Sequence, residues 1–226
     1  MSLRMFGITI AAMALAAIGV MAPSQAQASC LMDGVPQARV LLDIAPTHTN
    51  TTRSFDQLTR IPNNTRLGLT EGHQVGGLSV GDIRLASQIE FGNSVNFFSG
   101  DTCLWVRGLT INISLEPVIY IARELQRGSC RYRTLLEHEQ RHVAADRRLL
   151  ETYQSRIETE LGLALLEMGA TGPVPVSLAS QVQQELSAEV GRTVDAAMEE
   201  FAQARDRAQQ AIDNPAEYAR LSRACS

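Results

Sequence analysis

The chain contains no lysine. Its 20 basic residues are all arginines, set against 24 acidic ones for a formal net charge of −4, and they form no basic block. A block of that kind is what tracks a phosphate backbone, so nucleic acid is not an expected partner. Histidine is scarce, with four in 226 residues, and cysteine equally so. No two cysteines stand at the C-x-x-C spacing of a zinc-thiolate site. Internal repeats are missing, and the length suits one domain with a real core better than two.

What is present begins with an export pattern. Arg4 supplies a positive start, Met5 to Ala22 is an uncharged and largely apolar run, and Ala26-Gln27-Ala28 offers an A-x-A cleavage site. The expectation is a signal peptide over residues 1–28 and an exported protein, periplasmic or extracellular, beginning at Ser29. No stable membrane insertion is expected after cleavage; an uncleaved anchor is the alternative. All four cysteines lie beyond that point, and an even number in an exported chain predicts two disulfides. Three connectivities are open. The preferred one joins Cys103 to Cys130 and Cys30 to Cys225, tying the termini together.

The mature chain reads as one α+β domain, with a β-rich part over residues 29–127 and a helical part over 128–226. From Gln37 to about Arg123, short segments rich in Val, Ile, Leu and Thr are broken by Gly, Pro and Asn, which is strand and turn composition. An antiparallel sheet is expected, with strands at Ala38–Ile44, Asn50–Leu58, Ile83–Phe91, Cys103–Leu115 and Val118–Ala122. Residues 109–115 alternate apolar and polar, so one face is buried. Glu71–Gly81, rich in glycine, reads as an irregular loop.

After Gly128 the apolar period changes to three or four. Leu150, Tyr153, Ile157, Leu161, Leu165 and Met168 make one helical stripe, which the proline-bearing tract Thr171–Val176 must interrupt. A second stripe runs from Leu178 through Val182, Leu186, Val190, Val194 and Phe201 to Ile212. The two helices are expected to fold back as an antiparallel hairpin with stripes facing. Asn214-Pro215 fits the cap and first position of a last short helix.

His138-Glu139-Gln140-Arg141-His142 is H-E-x-x-H inside the first long helix. Histidines four apart lie one turn apart on one face, so both imidazoles can reach a single Zn²⁺. Glu139, beside them, is placed to take a proton from a water activated by that ion and to deliver it to a leaving amine.

The octet Leu135-Leu136-Glu137-His138-Glu139-Gln140-Arg141-His142 resembles that of a family of uncharacterised, secreted bacterial proteins regarded as zinc-dependent peptidases. That family likewise reads H-E-Q-x-H between a β-rich segment and a long helical one. The resemblance covers most of the mature chain in layout but only this octet in residues. It implies His138 and His142 as ligands and Glu139 as base. The metzincin extension is excluded, since Ala145 and Arg148 stand where that motif asks for glycine and a third histidine.

A third ligand must come from elsewhere. If the hairpin turns near residues 171–173, His142 lies level with residues 200–204 and His138 with 204–208. Glu200 then faces the histidine flank and is the first candidate. Asp206 has the better height but points away from the facing stripe, and ranks second. Asp146 is too far along the axis to share the ion with His138; it suits accepting a hydrogen bond from His142. His48 and His73 read as loop or surface residues. Tyr132, Tyr153 and Tyr218 are candidates for polarising a scissile carbonyl, with core packing the plainer reading of each.

The expected function is therefore an exported hydrolase with one Zn²⁺ per chain, acting on a peptide or protein. An amidase working on peptidoglycan crosslinks by the same chemistry, and a non-catalytic metal- or partner-binding protein, are the alternatives.

Overall fold

Alternation along residues 109–115 is the pattern on which the sheet is built. In the computed structural model, which describes residues 30–61 and 74–225, Leu109, Ile111, Ile113 and Leu115 are buried while Asn112 and Glu116 face outward. The expected signal peptide, its cleavage point and His73 lie outside the described residues. In chain order the elements are β1 (Gln37–Ile44), β2 (His48–Asn50), α1 (Phe55–Thr59), β3 (Gly77–Asn96) and β4 (Asp101–Ile121). There follow α2 (Cys130–Met168), β5 (Ala170–Pro175), a 3-10 turn (Val176–Leu178), α3 (Ala179–Ile212) and α4 (Pro215–Arg223).

The fold is α+β, but the sheet is mixed and not antiparallel throughout. β4 is its centre. β3 pairs antiparallel along its whole length, as the tight turn between the two strands requires. A strand has only two edges, so β1, β2 and β5 share the other one end to end. β5 is antiparallel there, whereas β1 and β2 run parallel to β4. β1 and β2 are separated from β4 in sequence by β3, so no hairpin dictates their direction.

Two local expectations are also corrected. Residues 103–115 and 118–122 belong to one strand, because Pro117 falls between the residues paired to β1 and those paired to β2, where its missing N–H removes no ladder bond. The expected strand over Asn50–Leu58 holds instead the end of β2 and the helix α1. Ser54 and Gln57 form a capping box there, the hydroxyl accepting from the Gln57 amide and the Gln57 side chain accepting from the Ser54 amide. The glycine-rich segment is strand from Gly77 onward.

The helices cover one face of the sheet. Leu150, Ile157, Leu161 and Leu165 of α2 and Val182, Leu186, Val190, Val194 and Phe201 of α3 form one core with Val40, Leu109, Ile111, Ile113 and Leu115. Each such side chain contributes roughly 1.5–3 kcal/mol on burial. Gly169, with φ of 62°, closes α2 in a backbone region that other residues rarely adopt. Along the free edge of β1, α2 supplies what a neighbouring strand would: the Val40 amide donates to Glu158 at 2.8 Å, and Gln154 Nε2 donates to the Val40 carbonyl at 2.7 Å.

The helices run antiparallel, with a register that differs from the expected one. Tyr153 meets Phe201 edge to face at 5.7 Å, Arg156 pairs with Glu200, Arg205 with Asp146, and His142 meets Gln209. The tract between them is no tight turn. It forms β5 and the 3-10 turn, and His142 consequently lies level with residue 209 instead of 200–204.

The cysteines pair as Cys30–Cys103 and Cys130–Cys225, so two bridges form as expected but with exchanged partners. The segment after Cys30 lies beside the first residues of β4, and α4 returns to the first turn of α2. Cα separations of 5.6 and 5.8 Å suit both bridges. Two disulfides are compatible with an exported protein. Among the described residues no helix is long and apolar enough to cross a membrane.

Candidate metal centre

α2 presents His138 and His142 one turn apart toward the place where α3 ends and α4 begins. At that junction Asp213 is the first residue past α3, and Asn214 caps α4 by accepting from the Glu217 amide at 3.0 Å. Asp213 Oδ1 lies 3.1 Å from Nε2 of each histidine, and the two Nε2 atoms are 3.2 Å apart. Both histidines are about 5% exposed and the Asp213 side chain 8%.

This triangle passes a test of fit. Donor atoms 3.1–3.2 Å apart are spaced as ligands of one Zn²⁺ at about 2.0–2.1 Å would be. His138, His142 and Asp213 could therefore hold a metal ion.

The other ring nitrogens are also occupied. His138 Nδ1 lies 3.1 Å from Glu217 Oε1, and His142 Nδ1 meets Gln209 Oε1. A carboxylate and an amide oxygen can only accept, so both partners favour Nδ1–H and leave each Nε2 as a lone pair. Arg141 Nη2 lies 3.1 Å from His138 Nδ1 but is itself ion-paired to Glu217. Arg220 donates to the same carboxylate at 2.9 and 2.7 Å. Gln209 in turn donates to Asp146 Oδ1 at 2.5 Å and to the His142 carbonyl at 3.3 Å. Arg205 clamps Asp146 with two bonds of 2.8 Å.

Titration follows these contacts. Burial pushes the Asp213 carboxyl up, but hydrogen bonds with both histidines outweigh it and hold it well below the carboxylate range. His142 is pulled down by burial and raised further by Asp213 and Glu139, for a net upward shift. The Arg220 guanidinium, with Arg141 and His138, holds Glu217 far below its ordinary value. Glu139, 5% exposed, is pushed up by burial against the attraction of the two histidines. Its carboxylate packs closely on β3 at Gly77, where an added Cβ would sit 2.8 Å from Oε1 and push the carboxylate from its place.

The structure thus brings His138, Glu139 and His142 together and leaves Glu200 and Asp206 out. Glu200 is 44% exposed and paired with Arg156 at 2.5 Å; Asp206 is exposed beyond Arg205. Asp146 reaches His142 only through Gln209. His48 lies exposed on β2. Tyr132 packs with Ile119, Ile121 and Val143, and Tyr153 packs on Phe201. Tyr218 alone of the three tyrosines adjoins the centre: burial and the charges of Asp213 and Glu139 push its hydroxyl up to about 12. Asp213, Gln209 and Glu217 escaped the sequence reading. The sole signal was the Asp-Asn-Pro punctuation at the end of the second stripe. A cavity of about 370 Å³ lined by Arg39, Glu90, Trp105 and Arg107 lies toward the other end of β4 and contains none of these residues.

No protein-family model, curated protein or solved structure matches the chain.

Proposed function

We propose that the protein is an exported zinc-dependent hydrolase of peptide bonds. One observation carries the reading: the Nε2 atoms of both histidines and Asp213 Oδ1 converge within 3.2 Å, and the acceptors beside each Nδ1 favour a lone pair at each Nε2. A cation relieves that arrangement. A proton serves in the metal-free chain, and two imidazoles with one carboxylate are a donor set that zinc accepts. When bound, zinc supplies a Lewis acid that lowers the pKa of water toward ~7 and polarises a carbonyl.

The chain's own residues do the rest. Glu217 and Gln209 orient the imidazoles, and the Asp146–Arg205 pair holds Gln209 in turn. Glu139, its carboxyl raised by burial, accepts a proton from the attacking water and returns it to the leaving amine. Tyr218, protonated throughout the physiological range, donates its hydroxyl hydrogen to Asp213 and helps to fix that carboxylate. The same donor set serves Fe(II) elsewhere; the buried carboxylate beside it, a proton acceptor and not one of the three ligands, favours hydrolysis.

The deep burial of all three ligand side chains favours a second reading, a metal-binding protein without catalysis. Glu139→Gln separates the two. It keeps the shape and the ligands, so zinc content should stay near one per chain while turnover of casein or of isolated peptidoglycan falls at least ~10²-fold. Which of those substrates is cleaved distinguishes a peptidase from an amidase. Unmutated protein that holds zinc and cleaves neither would leave the metal-binding reading standing.

A further inference from the structure

β3 and β4 continue past the start of β1, whose pairing begins at Gly108, so the turn between them projects from the end of the sheet with β5 alone of the described strands beside it. At its tip Phe97 is 92% exposed and Phe98 104%, two adjacent aromatic side chains that no packing among the described residues covers. Val95 on the hairpin, Leu31 after the first cysteine, and Val176 and Leu178 beyond β5 are exposed as well. The Val176 amide donates to the Gly100 carbonyl at 3.2 Å, and Cys30 is bonded to Cys103, so all of these gather at one end of the molecule.

That end is nearly free of charge. Across residues 30–36, 91–106 and 168–184 only Asp33 and Asp101 are ionised, in a chain that is 19% charged. Desolvating it is correspondingly cheap, and it has no cation with which to seek an acidic partner. The two phenylalanine rings protrude from it. A protein would need a matching pocket to receive two protruding rings, whereas a bilayer interface accepts them without one. Were the apolar run Met5–Ala22 retained as the uncleaved anchor named above, it would join the chain at Cys30, eight residues on, at this same end.

We propose that the β3–β4 turn is a membrane-docking tip, with Phe97 and Phe98 entering the interfacial zone of a zwitterionic bilayer. Docking is peripheral and apolar, hence insensitive to salt. It leaves the candidate metal centre, where Glu139 packs on Gly77 at the other end of β3, about 60 Å from the surface by the rise of a strand. The inference stands apart from the metal reading.

The test uses the chain as recovered from cells and vesicles of phosphatidylcholine brominated on the acyl chains. Phe98→Trp should show emission that shifts to the blue and is quenched on adding vesicles, by twofold or more and equally at low and high salt. Trp105, 2% exposed, supplies a constant background. A tryptophan introduced at Leu41, exposed on the open face of the sheet, should be unaffected. Combining Phe97→Ser with Phe98→Ser should lower co-sedimentation with vesicles at least tenfold and leave the thermal transition unchanged. Unquenched emission from the Phe98→Trp chain overturns the proposal, even where the chain sediments with vesicles, because residues 1–29 alone would then be holding it. Docking that requires anionic lipid and fades with salt overturns it too.

Discussion

Asp213 sits where two helices meet, and its position explains both its role and its invisibility. His138 and His142 were legible because their relation is fixed inside one helix by its pitch. Asp213 depends on how far α3 slides along α2, which is set by the β5 segment and the 3-10 turn between them, and the expected register, which put His142 level with 200–204 and not with 209, points to Glu200 in its place. The two assignments separate experimentally. Asp213→Ala should reduce zinc affinity at least ~10²-fold in a competition titration, as loss of one of three ligands implies, whereas Glu200→Ala, which removes only an exposed ion pair, should leave it unchanged.

The same residues predict opposite pH slopes for metal-free and metal-loaded protein. Glu139 and His142 both have folded-state pKa values above their ordinary ones. Groups shifted upward contribute stability that is fully present below the unfolded pKa and lost as pH rises through the folded one. Asp213 and Glu217 are shifted downward, so their contribution is lost only in acid, below about pH 4. In chelator, the Tm should therefore fall from pH 5 to pH 8, by roughly 3 °C or more. With zinc the slope should reverse, because protons compete with the ion for His138 and His142. Parallel slopes in the two series would remove the metal from these histidines.

Among the elements, α4 is short but governs the centre. It carries Glu217 and Tyr218, begins immediately after Asp213, and is tied to the first turn of α2 by Cys130–Cys225. Removing that bridge by Cys130→Ser with Cys225→Ser frees the element that orients His138, and zinc affinity should weaken about 10–100-fold. Removing Cys30–Cys103, at the hairpin end, should leave affinity as it was. Isothermal titration of both pairs checks this. The apolar stripes of α2 and α3 and the alternation of β4 were readable because each buries one face of a regular element. Strand direction and cysteine pairing were not, since both depend on which distant segments become neighbours. α1 was missed although Ser54-Phe55-Asp56-Gln57 carries its capping box.

At the scale of the molecule, β4 is enclosed on both edges and helices cover one face of the sheet, while the outermost strands meet their surroundings differently. The Val40 amide and carbonyl of β1 are taken by Glu158 and Gln154 of α2. These two side chains occupy the positions from which a foreign strand would otherwise begin to pair. The long helix that carries the histidines therefore also blocks strand addition at this point of β1. Glu158→Ala with Gln154→Ala should leave zinc binding intact, yet concentrated solutions should form thioflavin-positive fibrils or lateral oligomers visible by light scattering, where the unmutated chain stays dispersed.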